Sequence, residues 1–180
     1  MKHIIAFVGM AGSGKTIATQ IAEKEGFSRV HFGSLTMEEL KRKKMPISEL
    51  NEKIIREELR TAHGMGAFAV LALDKIDTIE GDVVIDGLYS WAEYKILKEH
   101  YKDALVVVAI YSSPATRIAR VGKRQERPLT ADELKGRDRS EIENIEKGGP
   151  IAVADYTIIN EGSQAELETE VKHVIRKITG

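Results

Sequence analysis

The chain contains no cysteine, four prolines and one tryptophan in 180 residues. Without cysteine there is neither a disulfide framework nor a thiolate metal centre, and the composition fits a reducing cytoplasm. Net charge is nearly absent too. Lys and Arg number 27 against 28 Asp and Glu, a formal charge of −1. That excludes an overall basic field for nucleic acid and leaves only a local patch open. Long apolar runs are missing as well. The first run, HIIAFV at 3–8, is too short for a membrane span or a signal peptide and stops at Gly9, so no membrane partner is expected. There is no internal repeat and no low-complexity tract. The length suits one domain able to bury a core.

Five short apolar runs are present: 3–8, 29–32, 82–86, 104–111 and 156–159. Several are near-continuous Val/Ile with little alternation, the pattern of strands buried on both faces in a parallel sheet. Helical stretches separate them. Thr130 with Glu133 and Ser163 with Glu166 have capping-box spacing. Ser113-Pro114 reads as a cap followed by proline at the first helical position. After Ser163, Leu167, Val171, Val174, Ile175 and Ile178 share one helical stripe. Strands alternating with helices predict a layered α/β fold. Two stretches stand outside it. Residues 34–78 are mostly helical, broken at KKMP and at HGMG, with Gly64 expected as a left-handed cap. Residues 119–148 are rich in Arg and Lys and carry a short capped helix.

Glycine is concentrated where it carries most chemistry. Gly9-Met10-Ala11-Gly12-Ser13-Gly14-Lys15-Thr16 satisfies G-x-x-x-x-G-K-[ST] between a strand and a helix. Glycines open backbone angles closed to other residues. The bared N–H groups, among them those at Ala11, Gly12, Ser13 and Gly14, then converge on phosphate oxygens at the positive end of the following helix. Lys15 would neutralise the β- and γ-phosphates, and the Thr16 hydroxyl would ligate Mg²⁺. In GDVVIDG a short strand ends in Asp86, a carboxylate able to hold Mg²⁺ or its water.

Arg117, Arg120, Lys123, Arg124 and Arg127 fall within eleven residues, and Arg137 and Arg139 follow. Arginine chelates phosphate oxygens bidentately. A movable Arg-rich flap over a phosphate loop would neutralise charge in phosphoryl transfer. The cluster lacks interleaved aromatics, so nucleic acid is the weaker reading. LDKID at 73–77 resembles a guanine-reading motif but stands in a helical stretch ahead of the Asp86 strand. The five histidines show no metal spacing; His31 and His63 lie nearest the 34–78 region.

GMAGSGKT, VVIDG, RVGKR and ADYTIINEGS together resemble P-loop small-molecule kinases, adenylate kinases and dephospho-CoA kinases above all. The whole chain is similar to an archaeal family of adenylate-kinase-related proteins. The resemblance implies a five-stranded parallel sheet of order 2-3-1-4-5 with helices on both faces, an acceptor-binding helical region at about 34–78 and a lid at about 119–148. It implies that Arg120 stacks on adenine, Arg124 reaches phosphate, Arg137 contacts the transferred phosphoryl, Arg127 belongs to the lid, and Asn160 lies by the ATP base. It implies ATP with Mg²⁺ as donor and a small, nucleotide-like acceptor; the alternative it offers is an assembly factor with slow ATPase activity. Oligomeric state is left unassigned. The acceptor half departs from the pattern. Met37 stands where an AMP-binding arginine is found in adenylate kinases, and Ser90 replaces a second. The basic run 41–44 is the candidate substitute.

Overall fold

A computed structural model describes residues 2–125 and 128–180. The chain runs β1 (Ile4–Val8), α1 (Lys15–Lys24), β2 (Ser28–His31), α2 (Phe32–Arg42), α3 (Glu49–His63), α4 (Ala67–Thr78), β3 (Val83–Asp86), α5 (Trp91–Tyr101), β4 (Leu105–Tyr111), α6 (Pro114–Gly122), α7 (Ala131–Ile145), α8 (Gly148–Ala152), β5 (Tyr156–Ile159) and α9 (Gln164–Thr179). The strands form one parallel sheet of order β2-β3-β1-β4-β5. This is the order implied by the sequence, and it places β1 at the centre.

Every residue of β1 is buried. Period-2 alternation sends Ile4, Ala6 and Val8 into one core and Ile5 and Phe7 into the other. The first core is closed by α4 and α5, the second by α1 and α9. Each large aliphatic or aromatic side chain buried in them is worth about 1.5–3 kcal/mol. The two cores fix the C-terminal ends of β1 and β3 side by side, and the phosphate loop and Asp86 follow from those ends.

The capping boxes at Thr130 and Ser163 form, and so does the Ser113 cap with Pro114 at the head of α6. A third box, Ser90 with Glu93, opens α5. Three local expectations change. Phe32 does not extend β2 but begins α2, because its side chain turns into the first core. The helix in the 119–148 stretch is not short: α7 runs 15 residues straight through Gly136. Gly64 does cap α3, its N–H donating to the Arg60 carbonyl at 2.8 Å, and its φ is positive at 79°, but its ψ of −177° lies outside the left-handed helical region; α4 begins three residues later. LDKID, as its helical context indicated, lies within α4, with Ile76 fully buried, and forms no loop that could read a base.

Candidate functional site

The phosphate loop is held open by its glycines and by what packs behind them. Gly9 has φ +146°, and a Cβ there would stand 2.4 Å from the Ile110 carbonyl oxygen. Gly14 has φ +107°, and its Cβ would meet the Asn160 amide nitrogen at 2.5 Å. Side chains at these positions would push the loop off β4 and off the segment after β5. Gly14 also caps α1 without any side-chain bond, and the first turn of α1 carries no acidic residue. The N–H groups at this helix start therefore remain available to an anion.

A cleft of about 680 Å³ lies over the loop. Ala11, Gly12, Gly14, Lys15 and Thr16 line it, together with Asp86, Arg120, Arg124, Arg137 and Asn160. The structure thus brings together most of the residues singled out from sequence, over a span from Ala11 to Asn160. Gly9 and Ser13 stand behind this surface, and Ser13 is fully buried. Arg127, assigned to the lid, lies outside the described residues.

Asn160 stitches the loop to the far side of the cleft. Its Nδ2 donates to the Ser13 carbonyl at 2.8 Å. Arg120 holds Asn160 in turn, donating to its main-chain oxygen at 2.9 Å, and also to Ser112 Oγ at 3.0 Å and the Gly162 carbonyl at 3.0 Å. The Arg120 guanidinium is fixed in plane by neutral acceptors, and the nearby Glu161 carboxylate feels its charge. Arg117, which the sequence offered only as one of an arginine run, is buried. It makes a two-pronged pair with Asp138 at 3.1 and 2.7 Å and donates to the Ala11 carbonyl at 3.1 Å. Ala11, Val121 and Leu134 pack together beside it. These contacts tie α6 and α7 to the phosphate loop.

From that root α7 carries Arg137 to the cleft, where its Nε donates to Glu141 at 2.9 Å. Glu141 also accepts from Lys147 at 2.6 Å, and the Lys147 ammonium lies 4.5 Å from the centre of the Tyr89 ring. Burial raises the Glu141 carboxyl, but Lys147 and then Arg137 outweigh it and hold it below the usual carboxylate range. Lys15 shows the combined field. Burial of its ammonium, then the charge of Lys147, bring it down to about 7, with Arg137 acting the same way against Glu141 and Asp86. Its Nζ meanwhile donates to the Met10 carbonyl of its own loop, at 2.9 Å. A group of cations that depress one another in this way is stabilised by a polyanion between them.

Asp86 ends β3 and is buried. Its Oδ2 pairs with Arg29 of β2, a partner not foreseen from sequence. Its Oδ1 is unengaged among the described residues, and the exposed Thr16 hydroxyl lines the same cleft. One hydroxyl and one carboxylate, with no cluster of three acidic or histidine ligands among the described residues, fit Mg²⁺, which retains waters and substrate phosphates as ligands.

A second cavity, of about 250 Å³, adjoins the first. Tyr89 lines both, and consecutive residues divide between them: Asp86 faces the first, Gly87 the second. Its walls come from α2, α3, Phe68 of α4 and the start of α5; Thr36, Met37, Glu52, Arg56, Arg60 and Phe68 fall in the 34–78 stretch assigned to acceptor binding, whereas the segments at 31–33 and 87–93 fall outside it. Met37 and His31 line it, but the 41–44 run does not. Arg42 pairs with Glu39, and Lys43 with Glu58, around a separate outer groove that His63 also lines. Ser90 is buried, with its hydroxyl capping α5. The arginines of the second cavity are instead Arg56 and Arg60, one turn apart on α3. That spacing was visible in the sequence. What hid the pair was the abundance of charge along the exposed remainder of the helix.

Residues 8–148 match the family model described as an AAA domain. A UPF0200 protein of Thermococcus kodakarensis is 33% identical over 181 residues, covering 97% of each chain. Among solved structures, shikimate kinase from Acinetobacter baumannii in complex with shikimate superposes with a TM-score of 0.64 at 20% identity, over 98% of this chain and 94% of that one. A gluconokinase from Sinorhizobium meliloti superposes at 0.62 and 15% identity, over 98% and 93%. At such identities the likeness is one of fold.

Proposed function

Since the chain belongs to the UPF0200 family and has the fold of P-loop kinases, we propose that it is a phosphotransferase moving the γ-phosphoryl of Mg-ATP to a small acceptor. The observation that carries this reading is the pair of adjoining cavities, one over the phosphate loop and one beyond it, with Tyr89 as their shared wall and Asp86 at the junction. A protein that used ATP only as a timer for assembly would need the first cavity and not the second.

In this reading the loop amides and Lys15 bind the β- and γ-phosphates. Thr16 and, through water, Asp86 would hold Mg²⁺, which would neutralise charge on the phosphates when bound. Adenine lies against the fixed guanidinium of Arg120 and by Asn160. Arg124 and Arg137 face the charge that develops as the acceptor oxygen bonds to phosphorus and the bond from phosphorus to the leaving ADP oxygen breaks. The acceptor hydroxyl passes its proton to Asp86, the one carboxylate lining the cleft among the described residues. Residues 119–148 act as the lid that excludes water, with the Arg117–Asp138 pair as its fixed root.

The test is ADP release from Mg-ATP at constant protein, with and without a panel of nucleoside monophosphates, dephospho-CoA, sugars and hydroxy acids. Stimulation by one small acceptor, with a stoichiometric phosphorylated product, is expected. A slow release of ADP that no small acceptor accelerates, but that a macromolecular fraction does, overturns the proposal.

A further inference from the structure

We infer that the second cavity takes a small hydroxy acid as a monoanion, its carboxylate read by Arg60 with Arg56, rather than a nucleoside monophosphate. The inference rests on the phosphotransferase reading for what happens to the ligand's hydroxyl, but not for binding of the acid.

Size is the first argument. At about 250 Å³ the cavity has well under half the volume of the 680 Å³ cleft over the phosphate loop. The smaller space suits one ring or short chain with its polar groups.

The second argument is the state of Arg60. Its guanidinium lies over the Phe68 ring, 5.8 Å from the centroid. Its Nε is buried and, among the described residues, meets no hydrogen-bond acceptor. Glu93, the carboxylate in the same wall, is already in use: its Oε2 accepts from the backbone N–H groups of Tyr89 and Ser90 at 2.9 Å each. A planar cation, packed on an aromatic face and short of an acceptor, is built to receive a planar anion, and a carboxylate matches its fork. Arg56 is one helical turn away and donates to Glu52 at 3.4 Å.

The third argument is charge. Two arginines face two carboxylates, Glu52 and Glu93, around this space. A monoanion can sit against Arg60 there, whereas a phosphate dianion would be pressed towards both carboxylates. The apolar surface of Phe32, Met37 and Phe68 fits a carbon skeleton. The ligand's hydroxyl end then abuts Tyr89 and Gly87, across which lie Asp86 and the phosphate loop.

Binding and turnover are measured separately, on the full chain, with glycerate, gluconate and quinate as acids, glycerol and glucitol as uncharged counterparts, and AMP. Saturation-transfer NMR without nucleotide reads binding alone. At least one acid is expected to bind while its polyol does not. Arg60→Ala should weaken that acid roughly 10- to 100-fold, and Arg60→Lys should recover part of the loss. ADP release with Mg-ATP then asks whether the bound acid is the acceptor. If an acid binds through Arg60 and ADP release does not respond, the site stands and the phosphotransferase reading falls. If no acid binds, if polyol and acid bind alike, if Arg60→Ala leaves acid binding unchanged, or if AMP outcompetes the acids there, the inference is wrong.

Discussion

The two cavities are built on different principles. The first is made largely of backbone: glycines that no side chain can replace, a helix start left uncapped, carbonyls that Arg117, Arg120 and Asn160 grip from behind. The second is made largely of side chains from α2, α3 and α5, with Phe68 of α4, and sets Arg56 and Arg60 beside Glu52, Glu93 and the apolar surface of Phe32, Met37 and Phe68. A backbone-built site constrains the sequence severely, since few residues tolerate its angles. A side-chain-built site constrains it little, since many side chains can cover the same three helices. The first can therefore be shared widely, while the second, as the proposed acceptor site, would set what each chain acts upon.

The comparison can be broken most forcefully at its common support. Asp138→Ala removes one partner of a pair in which the Arg117 side chain is 7% exposed, leaving a buried guanidinium with a carbonyl as its only remaining acceptor among the described residues. A loss of about 3–5 kcal/mol is expected, read by denaturant unfolding. Nucleotide affinity should fall with it, because Arg117 also holds the Ala11 carbonyl. A variant as stable as the parent would mean that α7 is not anchored through this pair.

Lys15→Met should cost ~3–4 kcal/mol of transition-state stabilisation, or ~10²–10³ in turnover. Burial disfavours the charge of Lys15 in the folded chain, so the melting temperature should stay level or rise. Acid binding in the second cavity should be untouched, separating the two sites. Turnover within a few-fold of the parent would remove the phosphate loop from the mechanism.

A smaller effect sharpens the electrostatic side. Lys15 sits at about 7 in the free protein, and bound phosphates favour its charged form, which raises it. Below pH 7 the ammonium is already charged and affinity for an ATP analogue should be level. Above pH 7 binding must take up a proton, so affinity should fall by up to about tenfold, about 1.4 kcal/mol, per pH unit until the bound-state value is reached. Calorimetry near pH 8 in buffers of different ionisation enthalpy should register the uptake, and Lys15→Met should abolish it. A flat affinity from pH 7 to 9 contradicts the assignment.

The sheet order and the phosphate loop were legible in the sequence because each rests on local signals: buried Val/Ile runs, and glycines beside Lys-Thr. Asn160 was reached only through family resemblance, and within the arginine-rich run only the resemblance singled out Arg120 and Arg137, since nothing local shows that residues 120, 137 and 160 meet residue 14. Arg29, Glu141 and Lys147 were missed altogether. Each owes its place to contacts made only in the folded chain, and a lone charge in a chain with 31% charged residues carries no signal of its own. The basic run 41–44 shows the opposite error: its density drew attention, yet Arg42 and Lys43 find carboxylates at Glu39 and Glu58. The spacing of Arg56 and Arg60 became informative only when α3 was seen to turn that face inward.

Tyr89 stands between the two cavities as a single sheet of atoms, with the ammonium of Lys147 resting on it. Lys147 closes the 119–148 segment and is bound to Glu141 within it. If that segment is the lid proposed above, its swing away from the cleft would take the cation off the ring and leave the partition unbraced. The two chambers would then have one door between them, its bolt carried by the segment proposed to cover the nucleotide, and loading one chamber would alter how firmly the other is shut.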